Sequence, residues 1–474
     1  MPKLYIFAIG GTGSRVLRAL TMLMASGVKI NTSEIVPIII DPDVACGDKT
    51  DTVNLMNQYS RLYDTQAQDG NRKVEAFSTK ITNLGFPTDY VMPMGGKTNS
   101  SFGDYMQFGS LSDENRALVN MLFSDENQQT DMTIGFTGNP NIGSVVLNQF
   151  SESEEFTLFG NSFAPGDKIF IVSSIFGGTG ASGFPLLLKN LRHINPSQQI
   201  PNAAAIQNAE IGAITVLPYF NVESDNKSVI SSDTFISKTK SALSYYENNL
   251  NGLNVLYYIG DRERGQQENN EGGAEQRNEA HFIELAAALA IVDFANHSYP
   301  TSQTTCYKEF GIQDNINDIT LRNLGSVTYT QLARPLTEFT LFSKYFHEKL
   351  PESMSQQWIS DYSTLIGSPI YDDISQLTSS FIRWEREMES NHHARRFTPF
   401  ILDRRPSDVF GLAKGIPTAS AFGVSASNWD LFNHYLNKGE QSRLANQHGK
   451  NSEGKFLAHL LLGTQKVVSK KIKF

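Results

Sequence analysis

Hydrophobic and polar positions follow two patterns along the first three hundred residues, unbroken apolar runs and helical spacing. Leu4–Ile9 is an unbroken apolar run, the pattern of a strand buried on both faces. Gly10, Gly11 and Gly13 end it, and Val16, Leu17, Leu20, Leu23 and Met24 then recur at helical spacing. A second buried run, Ile35–Ile40, stops at Asp41-Pro42-Asp43. Strand, glycine turn, helix and strand in this order predict the start of a doubly wound, mostly parallel α/β sheet. The pattern resumes further on. Lys168–Ser173 predicts a strand, followed by a glycine loop and a helix through Leu186–Leu191. Ile211–Leu217 and Val255–Ile259 predict further strands, with Phe235, Leu243 and Tyr246 marking a helix between them. Residues 280–297 predict a long helix that is apolar almost all round, hence central and buried.

Two regions depart from this rhythm. Residues 45–130 are polar and rich in Asn, Gln and Asp, and they read as an insertion with some helix. Beyond about residue 330 the pattern is mixed, with helical character in 335–349 and 375–390, and the chain ends in a short basic stretch expected to be a solvated tail. The division expected is a first domain over 1–276, a connecting helix over 277–300 and an α+β carboxyl domain over 301–474.

The chain has 474 residues, 40% of them hydrophobic, and 30 phenylalanines, enough for two or three cores and too apolar for a disordered chain. Its net charge of -9 argues against an electrostatic nucleic-acid partner. The longest apolar stretches are shorter than a bilayer requires, and no leader is visible before Gly10. The expectation is a cytoplasmic protein without a membrane span. Two cysteines, Cys46 and Cys306, cannot build a disulfide framework or a zinc site by themselves. The histidines show no metal-binding spacing, so no metal ligands are assigned. His392-His393 and Arg395, Arg396, Arg404 and Arg405 form a basic cluster, read as an interdomain ion-pair network with the preceding glutamates.

Candidate chemistry sits in three glycine-containing segments. Gly10-Gly11-Thr12-Gly13-Ser14 and Gly177-Gly178-Thr179-Gly180 each lie between a strand and a helix. There, small residues let backbone N–H groups and the positive end of a helix approach an anion. Gly135–Gly143, with Gly138 and Asn139 before Pro140, makes a rigid turn one element ahead of the second loop. An ordinary dinucleotide fold needs one such loop; two in one sheet suggest that both grip a single polyphosphate.

The order of these segments resembles the tubulin/FtsZ superfamily, closer to FtsZ than to eukaryotic tubulin. The matching residues are Gly10–Ser14, the acidic loop Asp41-Pro42-Asp43, Gly135–Gly143, the run IFIVSSIFGGTGASGFP, and Tyr219-Phe220-Asn221-Val222-Glu223. They span roughly residues 1–300. The resemblance implies GTP or GDP across the carboxyl ends of the strands, with Mg²⁺ as companion. It implies that Gly11, Thr12 and Gly13 hold α/β-phosphates and that Gly177–Gly180 hold β/γ-phosphates. Gly138 and Asn139 would approach the γ-phosphate, Glu223 the ribose, Asn278 the guanine edge and Phe282 the base face. The bland alternatives are a helix cap for Asn278 and a core position for Phe282. It also implies self-association into oligomers or filaments, with slow or assembly-dependent hydrolysis.

Three departures bear on function. Phe176, Ala181 and Ser182 stand where the family's signature has glycine, a hydroxyl residue and glycine, so Ser182 is the candidate substitute hydroxyl. The acidic hydrolysis loop has only a loose counterpart in Gly311, Asp314, Asn315 and Asp318, where Asp314 and Asp318 are the candidate catalytic acids and a polar turn is the bland alternative. Residues 330–474 read as more helical than the family's carboxyl domain. A second reading therefore keeps the fold without catalysis, as a scaffold binding a protein partner through that domain. A third is a Rossmann-type enzyme using ATP or NAD.

Overall fold

The computed structural model describes the chain except residues 67–73, 94–99, 137, 149–152, 223–231, 263–265, 268–272, 275, 300–303, 314, 404–405 and 420–428. Seven parallel strands form the main sheet: β1 Leu4–Ile9, β2 Glu34–Ile40, β3 Lys80–Ile81, β4 Lys168–Ser174, β5 Glu210–Val216, β6 Val255–Ile259 and β7 Cys306–Glu309. Their spatial order is β3-β2-β1-β4-β5-β6-β7. The two central strands are buried along their length because helices cover both faces, which is why they read as continuous apolar runs. From β1 the chain steps outward to β2; from β4 it steps the other way, to β5. Right-handed crossovers then put the two connecting helices on opposite faces and open a crevice above the carboxyl ends of β1 and β4.

The covering helices are α1 Gly10–Ser26, α2 Gly47–Asp64, α3 Pro140–Leu147, α4 Gly178–Arg192, α5 Ser232–Asn249 and α6 Phe282–Asn296. On one face α1 packs on β1, β2 and β4 and against α2 and α6. On the other, α4 packs on β4 and against α3. Helix α6 is buried on nearly every side, as its composition requires.

The segment expected to be an insertion is in part a piece of this core. Helix α2 lies against α1, and β3 extends the sheet beyond β2. Its polarity misleads because α2 buries only one side, through Leu55, Met56, Tyr59 and Leu62. Residues 102–134 form short helices and turns.

The carboxyl half is mostly helical, with α7 Ser326–Glu348, α8 Pro369–Ser390 and α9 Ser452–Lys471. Its sheet content among the described residues is one parallel pair, Asp318–Ile319 with Arg396–Phe397, and isolated bridges. The expected solvated tail is instead docked. Lys471 and Ile472 are buried, and Ile472 bridges Thr418. Three arginines tie the halves together: Arg18 to Glu387 at 3.1 Å, Arg61 to Asp373 at 2.6 Å and Arg395 to Asp261 at 2.8 Å. The last pair is almost fully buried, and the partner of Arg395 is this aspartate of the first half, not one of the preceding glutamates. Cys46 is buried, Cys306 is exposed, and both are free thiols. Among the described residues no helix is long and apolar enough to cross a membrane.

Glu385 on α8 is an unusual core residue. One carboxyl oxygen accepts from Thr340 at 2.7 Å, while Oε2 is buried without a partner. Burial pushes this carboxyl well above its usual range. The folded state therefore takes up a proton there, so this residue's contribution to stability is greatest at low pH and is lost as pH rises from about 4.5 through the raised value. Glu385→Gln is expected to raise stability at pH 8, with the gain vanishing at low pH where the glutamate is protonated in both states. Urea melts of both proteins across pH check this; a gain that does not vary with pH would contradict the account.

Candidate functional site

The crevice over β1 and β4 gathers the three glycine segments. The first residue of α1, Gly10, has a φ of +70°, a left-handed conformation that glycine adopts freely. A Cβ built on Gly10 would lie 3.5 Å from the Thr179 Cβ, so the first loop touches the second. A Cβ on Gly178 would lie 2.8 Å from the Asn139 nitrogen and 3.2 Å from the Gly138 carbonyl carbon, so the second loop touches the third. Gly143 closes the set, because a Cβ there would meet the Gly178 oxygen at 3.0 Å. Segments up to 170 residues apart in sequence thus share one backbone-lined surface.

The helix ends at this surface differ in a telling way. Neither α1 nor α4 has a side-chain cap, and neither carries an acid in its first turn. Their leading N–H groups and positive dipole ends are left without a negative partner from their own sequence. Open space lies beside Gly11, with no atom within 4 Å of where its Cβ would stand. The Ser14 hydroxyl is buried without a hydrogen-bond partner. These features fit an anion. Asn139, by contrast, caps α3, its Oδ1 accepting from the Asn141 nitrogen at 3.1 Å and the Ile142 nitrogen at 3.5 Å. Its side chain is therefore occupied, and its expected approach to a phosphate is left to the backbone.

The departures from the signature have physical explanations. Phe176 does not enter the cradle. It is buried between Tyr219 and Phe220, with ring centroids 6.1 and 5.5 Å away, and plugs the loop that follows β5. Ser182 does not supply the missing hydroxyl, because its Oγ donates to the Gly178 carbonyl at 2.7 Å within its own helix.

Beside the first loop lies a polar cluster that periodicity did not indicate. Arg15 donates through Nε to Glu284 at 2.5 Å and through a terminal nitrogen to the Glu279 carbonyl at 2.7 Å. Asp48 stands 3.6 Å from the same guanidinium. Tyr219 donates its hydroxyl to Glu284 at 3.1 Å. Burial opposes the Arg15 charge, but the carboxylates of Glu284 and Asp48 outweigh it and hold the guanidinium above its usual range. His281 caps α6 through Nδ1, which accepts from the Ile283 nitrogen at 3.0 Å. Burial and the neighbouring Arg15 push this imidazole down to about 3, so it is neutral. A lone glutamate in the otherwise apolar start of α6 was the sequence signal for a buried partner.

Asn278 and Phe282 are placed differently from a base-reading pair. Asn278 donates its backbone nitrogen and its Nδ2 to Asp48, at 3.2 and 3.0 Å. Phe282 is 4% exposed and packs on Phe310 and Phe397, so it is a core residue with almost no face left for a ligand. Its position at the first turn of an all-round buried helix accounts for this. At the end of β2, Asp43 accepts from the Gly273 nitrogen at 2.7 Å, and Lys49 donates to the Asp43 carbonyl. Asp41 is buried nearby, and burial pushes its carboxyl up to about 6. Among the described residues no group of three His, Cys, Asp or Glu side chains could hold a metal. Asp318 is exposed and paired with Arg396, while Glu223 and Asp314 lie outside the described residues.

Because removing one member of a buried ion pair strands the other, Arg15→Met is expected to cost about 3–5 kcal/mol. The double variant Arg15→Met/Glu284→Met should be more stable than Arg15→Met alone. Denaturant melts of the four proteins of this cycle test it, and strictly additive losses would show the pair to be uncoupled.

No family model and no curated protein matches the chain. Solved structures do resemble it. CetZ2 from Haloferax volcanii, solved as a GTPγS-bound protofilament, is 13% identical over 64% of this chain and 61% of its own, with a TM-score of 0.31. CetZ from Methanosaeta thermophila is 13% identical over 62% and 52%, with a TM-score of 0.28. An empty FtsZ dimer from M. jannaschii is 16% identical over 55% and 45%, with a TM-score of 0.26. The chain thus spans less than two thirds of the length of each of these three structures. At these TM-scores the likeness is one of general topology and identifies no ligand or activity. The solved structures similar to this chain include members of the tubulin/FtsZ superfamily, the one that the order of its glycine segments resembles.

Proposed function

We propose that this protein is a tubulin/FtsZ-like guanine-nucleotide-binding protein that self-associates, holding its nucleotide where the three glycine segments meet. One observation carries the reading: segments around Gly10, Gly138 and Gly178 abut, with Gly10 in van der Waals reach of Thr179 and Gly178 so close to the Gly138–Asn139 backbone that a Cβ would collide with it. A Rossmann-type site uses one such segment and gives no reason for three to converge. In this reading the N–H groups of Gly11–Gly13 and Gly178–Gly180 bind phosphate oxygens, with charge stabilisation supplied by aligned backbone dipoles. Mg²⁺, when bound with the nucleotide, would neutralise phosphate charge, and Asp41 and Asp43 are the carboxylates at that end of the sheet. The resemblance, not the site, selects guanine.

Turnover divides into two readings. A slow or assembly-dependent hydrolysis needs an acid at the 311–318 loop. The pairing of Asp318 with Arg396 and the inward-turned Ser182 hydroxyl favour the other: a tubulin-like scaffold that binds nucleotide without using it and meets a protein partner through its helical carboxyl half.

GTP is expected to raise the melting temperature where ATP and NAD do not, since only a ligand of the folded state stabilises it. Gly178→Val should abolish that shift, and a retained shift would refute the site. Asp318→Ala should lower phosphate release at concentrations where the protein assembles, if it hydrolyses GTP. An unchanged rate assigns no catalytic role to Asp318.

A further inference from the structure

Outside the polyphosphate cradle, but sharing a wall with it, is a cavity of about 530 Å³ between α3, α4 and α5. Its lining includes Asn141, Ser144, Phe176, Ser182, Lys238 and Tyr246. Lys238 comes from the middle of α5, and its ammonium donates to the carbonyl of Gly138. That carbonyl belongs to the third glycine segment, at the residue whose carbonyl carbon stands 3.2 Å from a Cβ placed on Gly178. A single cation is thereby fixed one backbone layer from the second loop.

The electrostatics of the crevice make this cation conspicuous. Its recognised binding elements are backbone N–H groups, which carry partial charges only. Among the described residues, Arg15 beside the first loop is engaged by Glu284 and Asp48, and Lys49 by the Asp43 carbonyl. Three carboxylates, Asp41, Asp43 and Asp48, add negative charge at the far end. A triphosphate carries about four negative charges, and its third phosphoryl group needs a counter-charge that a diphosphate does not. Lys238 pairs with no carboxylate among the described residues, and it is half-buried, so its charge is incompletely solvated. Burial alone lowers its pKa, as expected of an ammonium waiting for an anion. Of its three N–H donors, the Gly138 carbonyl takes one.

We propose that Lys238 binds the terminal phosphoryl group of a nucleoside triphosphate and makes the site prefer triphosphate over diphosphate. The proposal rests on the nucleotide reading given above and deepens it. Lys238 is offered as a binding residue that reports the phosphorylation state of the nucleotide through α5, not as an acid or base.

The test measures affinity of the full chain for GTPγS and for GDP, in the wild type, Lys238→Met and Lys238→Arg. Loss of one charge-assisted contact should weaken GTPγS binding by about tenfold or more in Lys238→Met. GDP binding should change by less than about twofold, and Lys238→Arg should keep part of the preference. A second measurement uses the wild type alone: acylation of Lys238, read by mass spectrometry, should be blocked by GTPγS and not by GDP. It decides the matter where Lys238→Met does not fold. Equal losses for both ligands, no loss for either, or acylation indifferent to GTPγS would overturn the role of Lys238 while leaving nucleotide binding intact. A wild type that binds neither nucleotide would overturn both readings.

Discussion

Close approach of backbone to backbone is the constraint on which this structure depends. Parallel pairing of β1 with β4 brings two strand ends side by side; β1 turns at once into a helix, and β4 does so after the short loop 175–177. Both turns must occupy the same small volume, together with the start of α3. No side chain fits at Gly178, where even a Cβ would collide with the Asn139 nitrogen. Glycine there is a packing requirement before it is a ligand feature. The same crowding aims several unpartnered N–H groups at one point, so the demand of packing and the capacity to bind an anion have a single origin.

The crevice is polarised by its neighbours. On the α1 and α6 side, Arg15, Glu284, Tyr219 and His281 form a closed set of mutual contacts that fixes the start of α6 against the first loop. On the α3 and α5 side, the polar groups are fewer, and Lys238 is the charge that faces the third segment. Ion pairs from Arg18 and Arg61 reach α8 from helices that also border the crevice.

Strands and the central helix were legible in the sequence because burial on both faces leaves no room for polar residues. Leu4–Ile9 and Val255–Ile259 coincide with β1 and β6, and the helix expected over 280–297 differs from α6 by two residues at its start and one at its end. Helix α2 was hidden, because a helix buried on one side carries as many polar as apolar residues. The docked end of the chain was hidden too: Lys471 is buried by its neighbours, which composition does not register.

Sequence alone determined the candidate cradle, since glycine between a strand and a helix states its backbone geometry locally. It determined the doubly wound class through unbroken apolar runs for strands alternating with the 3.6-residue spacing of helices. What only the tertiary structure decided was convergence and commitment. Whether Gly10, Gly138 and Gly178 meet depends on strand order, a property of the whole sheet. Whether Phe282, Asn139 and Ser182 are free for a ligand depends on what surrounds them, and all three are engaged by the fold. Arg15 and Lys238 acquired significance through Glu284 and Gly138, partners distant in sequence, because a charge is defined by its surroundings and the chain carries no local record of them.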